Sequence, residues 1–428
     1  MDKIILNLKN KIFNNINNEF NKNVLILSGG TVIAQILPIA VSPVLSRIYF
    51  PSDFGVLALF VSITSIVSVI ANGRYELAIM LPEKDEDAIN VAATGFLINI
   101  AISLLFLFLI LLFKKPFLKL LKAESLYFWI YFAPLTVFFI GLFTILNYAN
   151  NRFKLYKDIS KATIMKGIAV SSIQLVMGFL KTGISGLISG QIISQAIANT
   201  KLFFNIKNTG LLKEIKKDKI KEVAKRYSNF PKYSMWGALL NTSGYQITNI
   251  LIGAFFGSYY LGQYYMAFRI LGIPSVFIGS AISQVFFKQA TEEVQKTGKA
   301  INTFKSTIKK LLIIAFPIFL VIFLFVKPLF PIVFGKEWKD AGLYAMILAP
   351  FFCINFISSS LTLTIIVYEK NKIEILYNLL LNIASILGII IFKNFFYLII
   401  FLSFILSFIY LLLILFFYKL SSKIKKKL

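Results

Sequence analysis

The sequence predicts an all-α polytopic membrane protein, with about twelve transmembrane helices in two six-helix bundles around a central cavity. Three observations predict it. Hydrophobic residues fill 57% of the 428 positions and the mean hydropathy is +0.77. Charged residues make up 15%, against about a quarter in a soluble domain. The apolar residues also gather in runs near the ~20 residues that a helix needs to cross the hydrocarbon core. A membrane β-barrel would instead show segments of about ten residues with period-two alternation, and no such pattern is present.

Residues 1–23 are polar, with a stripe of Ile4, Ile5, Leu8, Ile12, Ile16 and Phe20. That spacing suits an amphipathic helix lying on the membrane surface; a disordered cytoplasmic segment is the alternative. The expected spans are 24–48, 55–81, 91–113, 126–150, 162–180, 183–204, 235–257, 259–287, 310–334, 343–367, 375–392 and 395–418. The first six form an N-terminal bundle over 24–204 and the last six a C-terminal bundle over 235–418. A basic cytoplasmic linker, 205–234, separates them, and a basic cytoplasmic tail, 419–428, ends the chain.

The net charge is +26, which on a soluble protein would suggest nucleic acid. Here the cations follow the positive-inside rule. With the N-terminus inside, Lys154, Lys157 and Lys161, the 201–232 loop, Lys288 to Lys310 and the tail lysines Lys423, Lys425, Lys426 and Lys427 are all cytoplasmic. The exception is the outside loop 114–122, with Lys114, Lys115, Lys119 and Lys122. Both termini are expected in the cytoplasm, and no nucleic-acid partner is expected.

The linker sits at the middle of the chain, and the two halves resemble each other. Gly30 aligns with Gly237 and Gly55 with Gly262, both at an offset of 207 residues. In each half a span runs into a tight aromatic turn, and a glycine follows as the next span opens. With six spans per half the repeat is parallel, related by an axis along the membrane normal.

A charge inside a span must face protein or water. Arg269, about ten residues into the span that starts at 259, is the leading candidate for binding an anionic cargo. Guanidinium grips phosphate oxygens in pairs, and Pro274 nearby can kink the helix. Arg74, near the end of the second span, is read as lining the inner mouth of the cavity. Glu76 is two residues on, so on a helix the two would not share a face. Arg47 closes the first span, either as an interfacial anchor or as a cavity cation. Gln35, Gln246 and Asn249 are uncharged polar residues within spans. Such residues bond helices together or bind sugar hydroxyls. Lys166 and Arg152 are read as cytoplasmic anchors, and the ISGLISG run at 184–190 as close helix packing.

Histidine is absent and Cys353 is the only cysteine. That removes the commonest general base and metal ligand and any intramolecular disulfide. No catalytic residue, metal or cofactor is expected.

SGGTVIAQILPIAVSPVLSRIYFPSDFG resembles the opening of bacterial polysaccharide-biosynthesis membrane proteins of the O-antigen flippase type. RYELAIMLPEKDEDA resembles their segment after the second span. YSNFPKYSMWGALLN with FRILGIPSVFIGSAISQVFF resembles their second-half signature. The likeness covers nearly the whole chain and places it in the multidrug/oligosaccharidyl-lipid/polysaccharide exporter superfamily. It implies alternating access and a cargo of undecaprenyl-pyrophosphate-linked oligosaccharide, for O-antigen, capsule or a related surface polysaccharide. Arg47, Arg74 and Arg269 fall in the matching motifs, so the family's diphosphate-binding role carries to them. Membrane lipids, glycan polymerase and chain-length proteins are the implied partners. The departure is a scarcity of acids within the bundle, which leaves ion coupling open. Two other readings compete. A cation-coupled multidrug exporter of the same superfamily predicts acids in the cavity. A glycan polymerase or ligase, which would be an enzyme, predicts a large outside loop with polar residues.

Overall fold

The computed structural model describes residues 19–370 and 372–424. Most of the expected surface helix at 1–23, and the last tail lysines, lie outside those residues. Within them the chain is helical: α1 Glu19–Ala40, α2 Ser42–Ile48, α3 Pro51–Ile70, α4 Tyr75–Ala78, α5 Asp85–Leu120, α6 Ala133–Arg152, α7 Tyr156–Phe179 and α8 Ile184–Asn208. There follow α9 Lys217–Arg226, α10 Met235–Phe256, α11 Ser258–Leu271, α12 Ser280–Thr297, α13 Ile301–Phe334, α14 Lys339–Leu361, α15 Thr364–Val367, α16 Lys372–Ile391 and α17 Phe395–Ser422. Ten stretches among the described residues are long and apolar enough to cross a membrane. Expected spans six and seven do form helices, α8 and α10. They are more polar than the rest; α8 carries Asn199 and Asn205, which donate to the Phe139 carbonyl and to Asn150 Oδ1 of α6.

The expected span 259–287 is broken. Helix α11 stops at Leu271, and a π-helical turn, Ser275–Gly279, follows Pro274 before α12 begins. Proline lacks the N–H that would continue the ladder, and a π-turn absorbs the mismatch. The second span also ends early. Its helix stops at Ile70, and the chain turns through Gly73 and Arg74, both left-handed at φ 57° and 64°.

The chain divides into two compact units. Among the described residues, the first holds those up to Leu45, then Thr64–Phe113 and Trp129–Trp236; the second holds Ser46–Ile63, Lys114–Phe128 and those from Gly237 on. Segments 46–63 and 114–128, expected in the N-terminal bundle, therefore make their contacts in the second unit.

In the first unit, buried residues of α4 to α9 form one apolar cluster that includes Tyr75, Ile79, Ile89, Ile145, Ile159, Leu202 and Val223. The expected linker is ordered by it. Amphipathic α9 seats Val223 in the cluster, and its Ala224 carbonyl accepts from the Tyr75 hydroxyl at 2.7 Å. Asn90 holds the chain just before α9, donating to the Glu214 carbonyl and accepting from the Lys216 amide, each at 2.9 Å. Helix α6 is the polar axis of this unit. Asn99 and Asn199 donate to its Phe138 and Phe139 carbonyls at 2.9 Å, and Asn72 donates to its Gly141 carbonyl at 3.0 Å. Gly190 of ISGLISG lies against the Gln174 side chain, where a Cβ would overlap it. That is the close helix packing its composition suggested.

In the second unit, α3 and α11 meet backbone to backbone. A Cβ on Gly55 would overlap the Ser258 carbonyl, and a Cβ on Gly262 would overlap the Pro51 carbonyl. Pro51 and Ser258 are also 207 residues apart. Each contact is thus the other's copy under the repeat read from the sequence. Trp338, fully buried, closes the same region. It stacks edge-on against Phe54, with ring centroids 5.2 Å apart, and its indole N–H donates to the Ser46 carbonyl at 2.8 Å. These contacts are what draw 46–63 into this unit.

Candidate functional site

Arg74 sits in the turn after α3, beyond the end of the apolar helix. Its Nη1 lies 3.3 Å from Glu76 Oε1. Sequence spacing argued against this pair, because residues two apart diverge on a helix. The left-handed turn brings them together. Arg74 keeps 27% of its side-chain exposure and Glu76 keeps 3%. Glu76 Oε2 and Arg74 Nε are both buried and accept or donate no hydrogen bond. Burial raises the Glu76 carboxyl above its ordinary range, with its own backbone amide, Arg74 and the Asn72 side chain pulling the other way.

Gln35 is exposed on α1, also in the first unit. The second unit holds Arg47, Arg269, Gln246 and Asn249. Arg47, exposed in the last turn of α2, donates from Nη2 to the Ile332 carbonyl of α13 at 2.9 Å. Arg269 lies half-buried in the last turn of α11, where a cation complements the helix dipole.

Gln246 and Asn249 come together on Ser62 of α3. Ser62 Oγ donates to Gln246 Oε1 at 2.8 Å and accepts from Asn249 Nδ2 at 3.2 Å. This is the helix-bonding role open to them from sequence. Ser62→Ala should unpair both amides and lower the unfolding midpoint of the purified protein, by an amount equivalent to ~1 kcal/mol. An unchanged midpoint would show that the network adds nothing to stability.

Three features went unread in the sequence. Lys166 is not an end anchor. Helix α7 starts at Tyr156, which puts Lys166 well inside it, with Nζ 5.0 Å from the Phe143 ring centroid. The earlier helix start could have been found from Tyr156 and Ile159 continuing the apolar face. Arg152 pins the acidic loop, bonding Asp85 Oδ1 at 2.9 Å and the Ile79 and Glu83 carbonyls. An acid, Glu374 of α16, accepts from Asn241 of α10 at 3.1 Å.

The described residues hold no group of three or more Cys, Asp or Glu that could bind a metal.

Ten apolar membrane-length stretches among described residues that form helices and no strands define a multi-pass membrane protein, and its fold is that of flippases and exporters. It matches the structure titled "Lipid II flippase MurJ, inward closed conformation" with a TM-score of 0.71, over 93% of this chain and 90% of that one, at 14% identity. It matches an outward-facing multidrug resistance MATE family transporter of the MOP superfamily with a TM-score of 0.57, over 95% and 97%, at 11% identity. At such identities the likeness is one of fold. The chain itself belongs to the family described as polysaccharide biosynthesis protein, whose sequence profile matches residues 44–343. Teichuronic acid biosynthesis protein TuaB of Bacillus subtilis (strain 168) is 27% identical over 117 residues, 27% of this chain and 24% of that protein. The match thus spans about a quarter of the length of that relative.

Proposed function

We propose that this protein is a flippase, carrying an undecaprenyl-pyrophosphate-linked oligosaccharide across a bacterial cytoplasmic membrane by alternating access. The repeat unit is built on its lipid carrier at the cytoplasmic face, crosses with its diphosphate held by arginines, and joins a surface polysaccharide outside. One observation carries the reading: a single chain combines the polysaccharide biosynthesis family with a flippase-type membrane fold. The arginines support it. Arg47, Arg74 and Arg269 lie within the family-matched segment, and Arg74 stays partly exposed while its carboxylate partner is buried. No bond changes in this process, so the protein is not an enzyme.

The test is deletion of the gene followed by analysis of lipid-linked glycans. Loss of surface polysaccharide with accumulation of lipid-linked repeat units is expected, and the wild-type gene should restore the surface glycan. Arg269→Glu should reach the membrane yet fail to restore it. Unchanged surface glycan in the deletion strain, with raised drug sensitivity, would overturn the reading in favour of a multidrug exporter.

A further inference from the structure

We propose that Glu76 is a positioning residue: it holds Arg74 until an anionic diphosphate headgroup takes the guanidinium, and the carboxylate so released takes up a proton from water. The proposal rests on the reading of Arg74 as a diphosphate contact and adds what that contact is linked to.

The pair is built by the backbone. Two successive left-handed residues, Gly73 and Arg74, are what let a side chain meet the one two positions on. A left-handed conformation is costly for a side-chain-bearing residue and is kept where the surroundings demand it. The pair is also incompletely satisfied. Glu76 Oε2 and Arg74 Nε, one acceptor and one donor, are both buried without a partner. A lock would have filled them; a pair with open valences can be exchanged. The free energies favour exchange as well, since a diphosphate offers guanidinium two parallel charge-assisted bonds where Glu76 makes a single contact at 3.3 Å.

Losing Arg74 removes the ion pair of Glu76 and leaves it only its own backbone amide and the Asn72 side chain. Several charged groups of the elements around it are engaged elsewhere, and Lys166 of α7 lies over the Phe143 ring. Arg152 of α6 is held by Asp85, Lys201 of α8 by Asp158 of α7, and Lys219 of α9 by Asp87 of α5. Arg226 stacks over Tyr227, and Lys232, in the turn that packs on α4, is exposed. Tyr75, on α4 itself, spends its hydroxyl on the Ala224 carbonyl. A carboxylate 3% exposed and stripped of its cation is strongly disfavoured in its charged form, and protonation removes the charge. Burial already holds this carboxyl above its ordinary range with the arginine in place. The sign follows. Diphosphate binding consumes a proton, so affinity rises as pH falls through the range where Glu76 titrates.

The full-length protein in lipid nanodiscs, with farnesyl diphosphate as probe, tests this. Glu76→Gln keeps the shape of the side chain and frees Arg74. It should bind the probe about fivefold tighter than wild type at alkaline pH, the equivalent of one modest hydrogen bond, and the gain should vanish as pH falls. The ratio of the two affinities cancels the titration of the probe itself. Arg74→Gln should bind weakly at every pH, and adding Glu76→Gln to it should give no gain. A merely structural Glu76 would show neither the pH-dependent ratio nor its dependence on Arg74. A ratio near one throughout, with Arg74→Gln still weak, would overturn the positioning role alone. Arg74→Gln binding as tightly as wild type would instead overturn the reading of Arg74 as a diphosphate contact. If Glu76→Gln does not reach the membrane, wild type against Arg74→Gln decides. The wild-type advantage must grow as pH falls, and a constant advantage overturns the proposal.

Discussion

Gly262→Leu is expected to leave almost no folded protein in the membrane. The position has no room for even a Cβ, since that atom would overlap the Pro51 carbonyl. The obstacle is backbone, which cannot swing aside as a side chain can. Separating the N-terminal ends of α3 and α11 would loosen Trp338 from Phe54 and from the Ser46 carbonyl, contacts made beside the same crossing. Overpacking a well-packed core commonly costs about 1–3 kcal/mol, and here the loss of the buried tryptophan contacts adds to it. A destabilisation above ~3 kcal/mol would consume much of the stability of a typical protein. Fluorescence-detected size exclusion of a tagged protein measures the outcome. A monodisperse peak at the wild-type level would show that the crossing can open. Gly55→Leu should fail in the same way, because its Cβ meets the Ser258 carbonyl under the same geometry.

The double variant Arg74→Gly/Glu76→Gln is expected to separate stability from transport. A left-handed L-residue costs about 1–2 kcal/mol, and glycine removes that strain while adding about 0.5–1 kcal/mol of chain entropy to the unfolded state. The two nearly cancel. Glutamine in place of Glu76 avoids leaving a buried carboxylate without its cation, the step that would make Arg74→Gly alone destabilising. The double variant should therefore unfold no earlier than wild type. Under the proposed function it should nevertheless fall by about tenfold or more in restoring surface glycan, because the guanidinium that meets the diphosphate is gone. Unfolding midpoints and glycan yield in one deletion strain measure both. Normal glycan would remove Arg74 from the transport path.

The helical class follows from composition and run length because lipid leaves the backbone few alternatives, while ten membrane-length stretches stand among the described residues against twelve expected spans. The repeat is read from aligned glycines: Gly55 and Gly262 stand where a Cβ would overlap backbone, whereas nothing lies near Gly237. Arg74 was legible as a charge next to an apolar run, but its partner was not. The pairing with Glu76 depends on two left-handed residues, and glycine followed by arginine carries no strong signal for a second one. Gln246 and Asn249 could be bonding helices or binding sugar, since an amide serves either purpose. Only the position of Ser62, far away in sequence, shows the bond. Lys166 lies well inside α7 because the helix opens at Tyr156, whose turn carries Lys157 and Asp158 and so lowers the run's hydropathy while Tyr156 and Ile159 keep the apolar face.

The asparagines that donate to α6 bear on how the protein is made. Helices leave the ribosome in sequence, so Asn72 and Asn99 enter the bilayer region before their acceptors exist. Each carries amide hydrogens that hydrocarbon cannot satisfy. When α6 is synthesised, its Gly141 and Phe138 carbonyls become available to both. Asn199 arrives last and takes Phe139 between them. The nascent first unit thus has a physical reason to close around α6 in the order of translation, and α5 has a reason to wait near the insertion site until its fourth-span neighbour emerges.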